Sequence, residues 1–216
     1  MNSIPWMPAG TVYGTLLNFQ REHALWAPRM HEAPYKAPPK APVLYIKTAN
    51  TFTPHGQAIA LPAGAAVQVA ASLGLVVGED GVLGAVLFND VAIAHESYYR
   101  PPVKARCVDG FLGVGAECVP IAQLGGLAGL VDLQIELHIN GVHRQTTVLA
   151  ELLRDAATLL ADVSEFMTLR PGDVLMLGSD CLADGTRPLV HPGDTVEITA
   201  PGFAPTLHSF TQEVAA

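Results

Sequence analysis

Positive charge is scarce in this chain. Twelve lysines and arginines stand against 20 aspartates and glutamates, for a formal net charge of −8. Nucleic acids and anionic membranes are held by clustered Lys/Arg, so neither is an expected partner. Cysteine is scarcer still. Cys107, Cys118 and Cys181 are odd in number and widely spaced, which points to neither a disulfide framework nor a zinc site. A reducing, cytoplasmic compartment fits that usage. The opening residues lack a basic stretch followed by an apolar core, so no secretory leader is expected. Thr48 to Gly78 contains no Asp, Glu, Lys or Arg. A membrane-spanning helix needs roughly 20 apolar residues. Pro54, Gly56, Pro62 and Gly64 instead divide this stretch into short strands and turns, and Gln57 and Gln68 interrupt it further.

What is present is core material. Half of the 216 residues are hydrophobic and 15% are charged, enough for a packed interior and against disorder. The length suits a single domain over 1–216, with 1–10 read as a flexible N-terminus and 203–216 as a C-terminal tail.

The apolar runs 67–77 and 83–91 read as strands buried on both faces. Leu133, Ile135, Leu137 and Ile139 alternate with Asp132, Gln134, Glu136 and His138, the pattern of a half-buried strand. It runs into Asn140-Gly141, a hairpin signal because both residues tolerate positive φ. Leu149, Leu152, Leu153, Ala156, Leu159, Leu160 and Val163 recur at spacings of three and four, which predicts a helix over 148–166 with Thr147 as its N-cap. Pro-Gly-Asp at 171–173 and again at 192–194 marks two sharp corners, each before an apolar β run. The proline-rich segment 28–42 is expected to be an ordered loop or extended arm, since no helix runs through Pro34, Pro38, Pro39 and Pro42. The fold class expected is mixed and mainly β with a few helices. Strand and helix do not alternate as in a doubly wound sheet.

Taken in order, these landmarks carry a resemblance. Pro34-Tyr35-Lys36-Ala37-Pro38-Pro39-Lys40, then Tyr45-Ile46-Lys47 with Asn50-Thr51, the Ile59–Pro62 step, Phe88-Asn89-Asp90-Val91, Asn140-Gly141 with Gln145, Ser164–Val174 and Pro192–Val196 together resemble the fumarylacetoacetate hydrolase family. The likeness runs from about Thr11 to about Gly202. It implies that family's C-terminal-domain-like β roll, Mg²⁺ or Mn²⁺ as cofactor, and a molecule built from two homologous halves. The proline-rich block and Tyr98-Tyr99-Arg100-Pro101 narrow it to members that decarboxylate or isomerise small keto-enol dicarboxylates and tricarboxylates.

The chemistry that the resemblance implies is metal-assisted. A divalent ion chelated by adjacent carboxylate and keto or enol oxygens withdraws electrons as CO₂ leaves or a proton shifts. A hard ion needs carboxylate ligands, which the family supplies as Glu-x-Glu on one strand and Asp on the next. Here the Glu-x-Glu positions read Ala70-Ala71-Ser72, leaving Asp90 as the remaining metal-ligand candidate. The family's catalytic lysine falls at Arg106, with Lys104 beside it. His95 lies where an altered site could form, and Glu22-His23 falls near an acid–base loop. Lys47, Arg100 and Ser179 are the substrate-binding candidates. The ion is accordingly expected in the family but not held by this chain alone. The leading expectation is a metal-deficient half working with a homologous metal-binding subunit or as a homodimer. The alternatives are a self-sufficient enzyme with an altered, metal-independent site, and a non-catalytic binding or scaffold protein on the same fold.

Overall fold

The computed structural model describes residues 6–95, 97–98 and 103–213. In chain order the strands are β1 (Val12–Leu16), β2 (Val43–Lys47), β3 (Phe52–Thr53), β4 (Ala58–Leu61), β5 (Val67–Gln68), β6 (Ala71–Gly78), β7 (Gly81–Asp90) and β8 (Ala92–Ile93). They continue with β9 (Leu112–Val114), β10 (Val119–Pro120), β11 (Gln134–Ile139), β12 (Val142–Val148), β13 (Val174–Met176), β14 (Leu189–Val190), β15 (Thr195–Thr199) and β16 (Thr206–Gln212). Among the described residues, four short helices, α1 (Gln20–Trp26), α2 (Val103–Arg106), α3 (Gly126–Gly129) and α4 (Ala156–Ser164), lie between them. The fold is mainly β, as expected.

Three sheets form the body. The largest has the order β2-β1-β13-β6-β7-β9-β3, with β10 added to β7. A second runs β12-β11-β15-β16-β4, and a small third runs β14-β5-β8. Side chains alternate across a strand, so the apolar run of β6 and β7 serves both faces of the large sheet. Leu73, Leu75, Ala85 and Leu87 pack toward Ile135, Leu137, Val196, Ile198 and Phe210 of the second sheet and toward Leu159 and Val163 of α4. Val76, Val86 and Phe88 face the other way, against Val12, Tyr45, Val174 and Met176. That two-sided burial is why no polar alternation shows in these strands.

The corners form as their residues require. Asn140 and Gly141 both take positive φ, 53° and 73°, the two-residue loop whose twist matches its flanking strands. At 170–173 Gly172 takes φ 91°, Asp173 N–H closes the turn on the Arg170 carbonyl, and the Asp173 carboxylate accepts from Arg170 N–H and Thr11 N–H. Asp194 repeats the arrangement, accepting from His191 N–H.

Three expectations need correction. The helix predicted over 148–166 is only Ala156–Ser164, and its N-cap is Asp155, whose carboxylate accepts from Thr158 N–H at 2.8 Å. Thr147 is not a cap but lies in β12, opposite Ile135. Leu149 is buried beneath the end of β12 and Leu152 bridges to Phe19, so their burial comes from strand edges and not from a helical face. Second, residues 206–212 of the expected C-terminal tail form β16, which inserts between β15 and β4. Its inward residues are Thr206, His208 and Phe210, and two polar members of three hid the period-2 signal. Third, residues 6–10 of the expected flexible N-terminus are tied down. Gly10 N–H donates to the Gly172 carbonyl, and Trp6 packs on the core. Residues 1–5 lie outside the described residues.

Candidate functional site

The fold brings the last residues of three elements to one point: Lys47 ending β2, Asp90 ending β7 and Arg106 ending α2. All three are buried. The Lys47 ammonium donates to the carbonyls of Val91, Arg106 and Phe111 at 2.7, 2.8 and 2.7 Å. Those bonds use its three N–H groups. Asp90 Oδ1 closes the remaining side at 2.9 Å as an ion-pair partner. Asp90 Oδ2 accepts from Arg106 Nη1 at 2.8 Å and from the Tyr45 hydroxyl at 2.5 Å. The guanidinium also stacks 4.3 Å over the Tyr45 ring. Gly14, paired with Tyr45 across the β1–β2 ladder, is a glycine because a Cβ there would overlap that ring.

Burial alone would raise the Asp90 pKa, but Lys47 and Arg106 overcome it and hold the carboxyl down at about 2. Burial also lowers the Lys47 pKa, against the pull of Asp90. Two cations against one anion leave this floor with a net charge of +1.

A second buried cluster stands beside it. Glu22 of α1 accepts from Arg187 Nη2 and from the Tyr98 hydroxyl, while its other oxygen accepts from Leu17 N–H at 2.9 Å. Arg187 Nη2 also donates to the Ser179 carbonyl at 3.1 Å. Burial acts to raise the Glu22 pKa, yet Arg187 and Tyr98 hold it below the usual carboxylate range.

Between the clusters opens a cleft of about 590 Å³. Arg106, Arg187, His95, Tyr98, Gln68 and Trp26 are among its lining residues. The small sheet forms one side through Gln68 of β5 and Leu189 of β14. Trp26 meets Tyr98 edge-on at 4.6 Å and carries Arg29 5.2 Å over its ring. Burial lowers the His95 pKa, which favours its neutral imidazole.

The candidates named from sequence therefore separate. Arg106 and His95 line the cleft, whereas Asp90 and Lys47 are sealed behind Arg106 and lie outside that lining, so Lys47 is not placed to touch a substrate. Ser179 reaches it only through the carbonyl that holds Arg187. Lys104 is exposed on α2 and is not among the cleft's lining residues. Arg100 lies outside the described residues. Arg187, Tyr98 and Tyr45 were not singled out as site residues. Arg187 meets a glutamate 165 positions away, which no local spacing reveals. The usable signal was an arginine in a chain with only 12 basic residues.

The residues do not fit a divalent ion. Ala70 and Asp90 exchange backbone hydrogen bonds as direct cross-strand neighbours, so a methyl stands where a second carboxylate would have to be. Ser72, two residues on and facing the same side, gives its hydroxyl to the Gly178 carbonyl at 2.7 Å. Both Asp90 oxygens already face cations. Among the described residues, no group of three or more His, Cys, Asp or Glu could hold a metal.

A β roll with a cleft closed below by the end of its central strand pair defines a scaffold shared by a broad enzyme class. The chain belongs to the fumarylacetoacetate hydrolase family: the fumarylacetoacetate (FAA) hydrolase C-terminal family matches residues 11–211. It is 38% identical over 207 residues to the 4-hydroxyphenylacetate degradation bifunctional isomerase/decarboxylase of Escherichia coli, covering 91% of this chain and 46% of that protein. It thus spans about half the length of the relatives of this kind that it matches. It is also 28% identical over 195 residues to an oxaloacetate tautomerase of Escherichia coli, covering 82% of this chain and 84% of that protein. The fold is that of 2-hydroxyhepta-2,4-diene-1,7-dioate isomerase from Mycobacterium marinum, with a TM-score of 0.78 at 22% identity, covering 98% of this chain and 78% of that one.

Proposed function

We propose that this chain is the metal-deficient half of a bifunctional isomerase/decarboxylase in 4-hydroxyphenylacetate catabolism. The substrates on this reading are 5-oxopent-3-ene-1,2,5-tricarboxylate and 2-hydroxyhepta-2,4-diene-1,7-dioate. A homologous subunit carrying Glu-x-Glu supplies the divalent ion, and this chain, one domain over 1–216, completes the assembly in the cytoplasm. The observation that carries the reading is Asp90, locked between Lys47 and Arg106 opposite Ala70. The length ratio supports it, since the chain matches about half of its bifunctional relatives. On this reading Arg106 and His95, which line the cleft, hold and orient a carboxylate, and Lys47, sealed behind Arg106, positions Asp90. Lys104, exposed on α2, and Arg100 are the further candidates for holding a carboxylate.

The test is to purify the chain alone and together with a homologue that carries Glu-x-Glu. Metal content and CO₂ release from the tricarboxylate are then measured. The lone chain should hold no stoichiometric Mg²⁺ or Mn²⁺ and should not decarboxylate, while the pair should do both. Stoichiometric metal and full turnover in the lone chain would sink the reading.

A further inference from the structure

We infer that this chain keeps a ligand site of its own: a metal-free anion site in which Arg106 and Arg187 together hold one carboxylate of a small dicarboxylate. Arg29 at the mouth takes the second. The inference rests on the reading above only in requiring that no divalent ion occupies the cleft.

Four observations carry it. First, both arginines line one cleft and are built into it, since each is at least nine-tenths buried and anchored by a carboxylate beneath it. Second, neither guanidinium is used up. Arg106 gives Nη1 to Asp90 and Arg187 gives Nη2 to Glu22 and Ser179, which leaves the other terminal nitrogen of each fork uncommitted to those partners. Third, the charge count favours an anion. Among the described residues, Arg29, Lys47, Arg106 and Arg187 make four cations, and Glu22, Asp90 and Asp184 make three anions, so the cleft and its supports stand at +1 in a chain of −8. Fourth, Leu25, Trp26 and Leu189 line the same cleft as Arg29 and the two inner arginines, apolar surface suited to the carbon chain that joins two carboxylates. The guanidinium fork matches a carboxylate bidentately, whereas an ammonium meets it as a point charge.

The test titrates glutarate, adipate and pimelate into the lone chain by calorimetry, once with EDTA and once with Mg²⁺. Valerate serves as the monocarboxylate control. Saturable binding of at least one dicarboxylate is expected, equal in EDTA and Mg²⁺ and tighter than valerate. Arg106→Lys and Arg187→Lys keep the charge that pairs Asp90 and Glu22 but remove the fork, and each should weaken binding about tenfold. Exposed Arg29→Ala leaves the buried clusters intact and should reduce dicarboxylate affinity to near that of valerate. No binding up to about 10 mM, a Mg²⁺ requirement, or wild-type affinity in the Lys variants would overturn the inference. A lone chain that binds neither metal nor dicarboxylate defeats this inference alone. A lone chain that binds Mg²⁺ stoichiometrically defeats the function reading as well.

Discussion

The floor and the wall of the cleft each bury an arginine against a carboxylate, yet they are built differently. The floor cluster comes from the ends of β2, β7 and α2, and Asp90 is fixed in a ladder with Ala70. The wall cluster joins α1 to Tyr98, 76 residues on, and to Arg187 in the connection before β14. The floor carries an excess cation, whereas Glu22 and Arg187 balance each other. Asp90, with both oxygens facing buried cations and no second carboxylate opposite, acts as a structural counter-ion. A carboxylate that shares its charge with a single arginine at the cleft edge leaves part of that arginine free for a ligand.

The largest effect should follow from removing the floor's only anion. Asp90→Asn leaves Lys47 and Arg106 buried together without a counter-charge, and an orphaned buried charge of this kind costs about 3–5 kcal/mol. Urea denaturation should show a fall of that size. A loss under about 1 kcal/mol would mean that cleft water already screens the pair, and that floor and wall do not differ as described.

Acid should leave both clusters intact longer than it leaves the second sheet. Asp90 is held at about 2, and Glu22 lies below the usual carboxylate range. The sensitive group is His208 of β16, packed against Gly113, where burial lowers its pKa to about 4. The unfolded chain takes up this proton first, near pH 6.5, so the contribution is complete above that pH. It is lost as the pH falls toward 4, by about 3 kcal/mol. A His208→Gln variant should flatten stability across that window. If wild type and variant decline in parallel, the clusters titrate there after all.

Breaking the wall should cost less than breaking the floor. Glu22→Gln keeps an acceptor for Tyr98 but leaves one unpaired arginine, still bonded to the Ser179 carbonyl and facing the cleft, for a loss of about 2 kcal/mol. The same urea measurement ranks the two variants. A larger loss for Glu22→Gln than for Asp90→Asn would reverse the comparison.

How much of this was legible in sequence follows the range of the interactions. The Asn140-Gly141 loop, the two Pro-Gly-Asp corners and the doubly buried β6–β7 pair are local, and the residues announce them. The floor was half legible, because Asp90, Lys47 and Arg106 stand out as charges beside apolar runs. That they meet depends on strand order, which pattern does not give. The wall was invisible apart from Glu22, since Arg187 finds its partner only through the whole fold. β16 was missed because its inward face is largely polar, and the predicted helix was overlong because burial at strand ends mimicked helical spacing at Leu149 and Leu152.

The smallest effect calibrates the rest. Asp155 caps α4, outside both clusters, and accepts from Thr158 N–H. That bond, with further hydrogen bonding from the Thr158 side chain, holds its carboxyl below the usual range although it is almost fully exposed. Asp155→Ala should lower stability by about 1 kcal/mol, the ordinary cost of an N-cap. Because α4 packs its buried Leu159 and Val163 on the core cluster between the two large sheets and contributes nothing to the cleft lining, dicarboxylate affinity should be unchanged. Stability and binding measured on the same protein then separate a general loosening of the roll from damage to either cluster. If Asp155→Ala weakened binding as much as Arg187→Lys does, the cleft would be reading global stability, and the contrast between floor and wall would have no functional content.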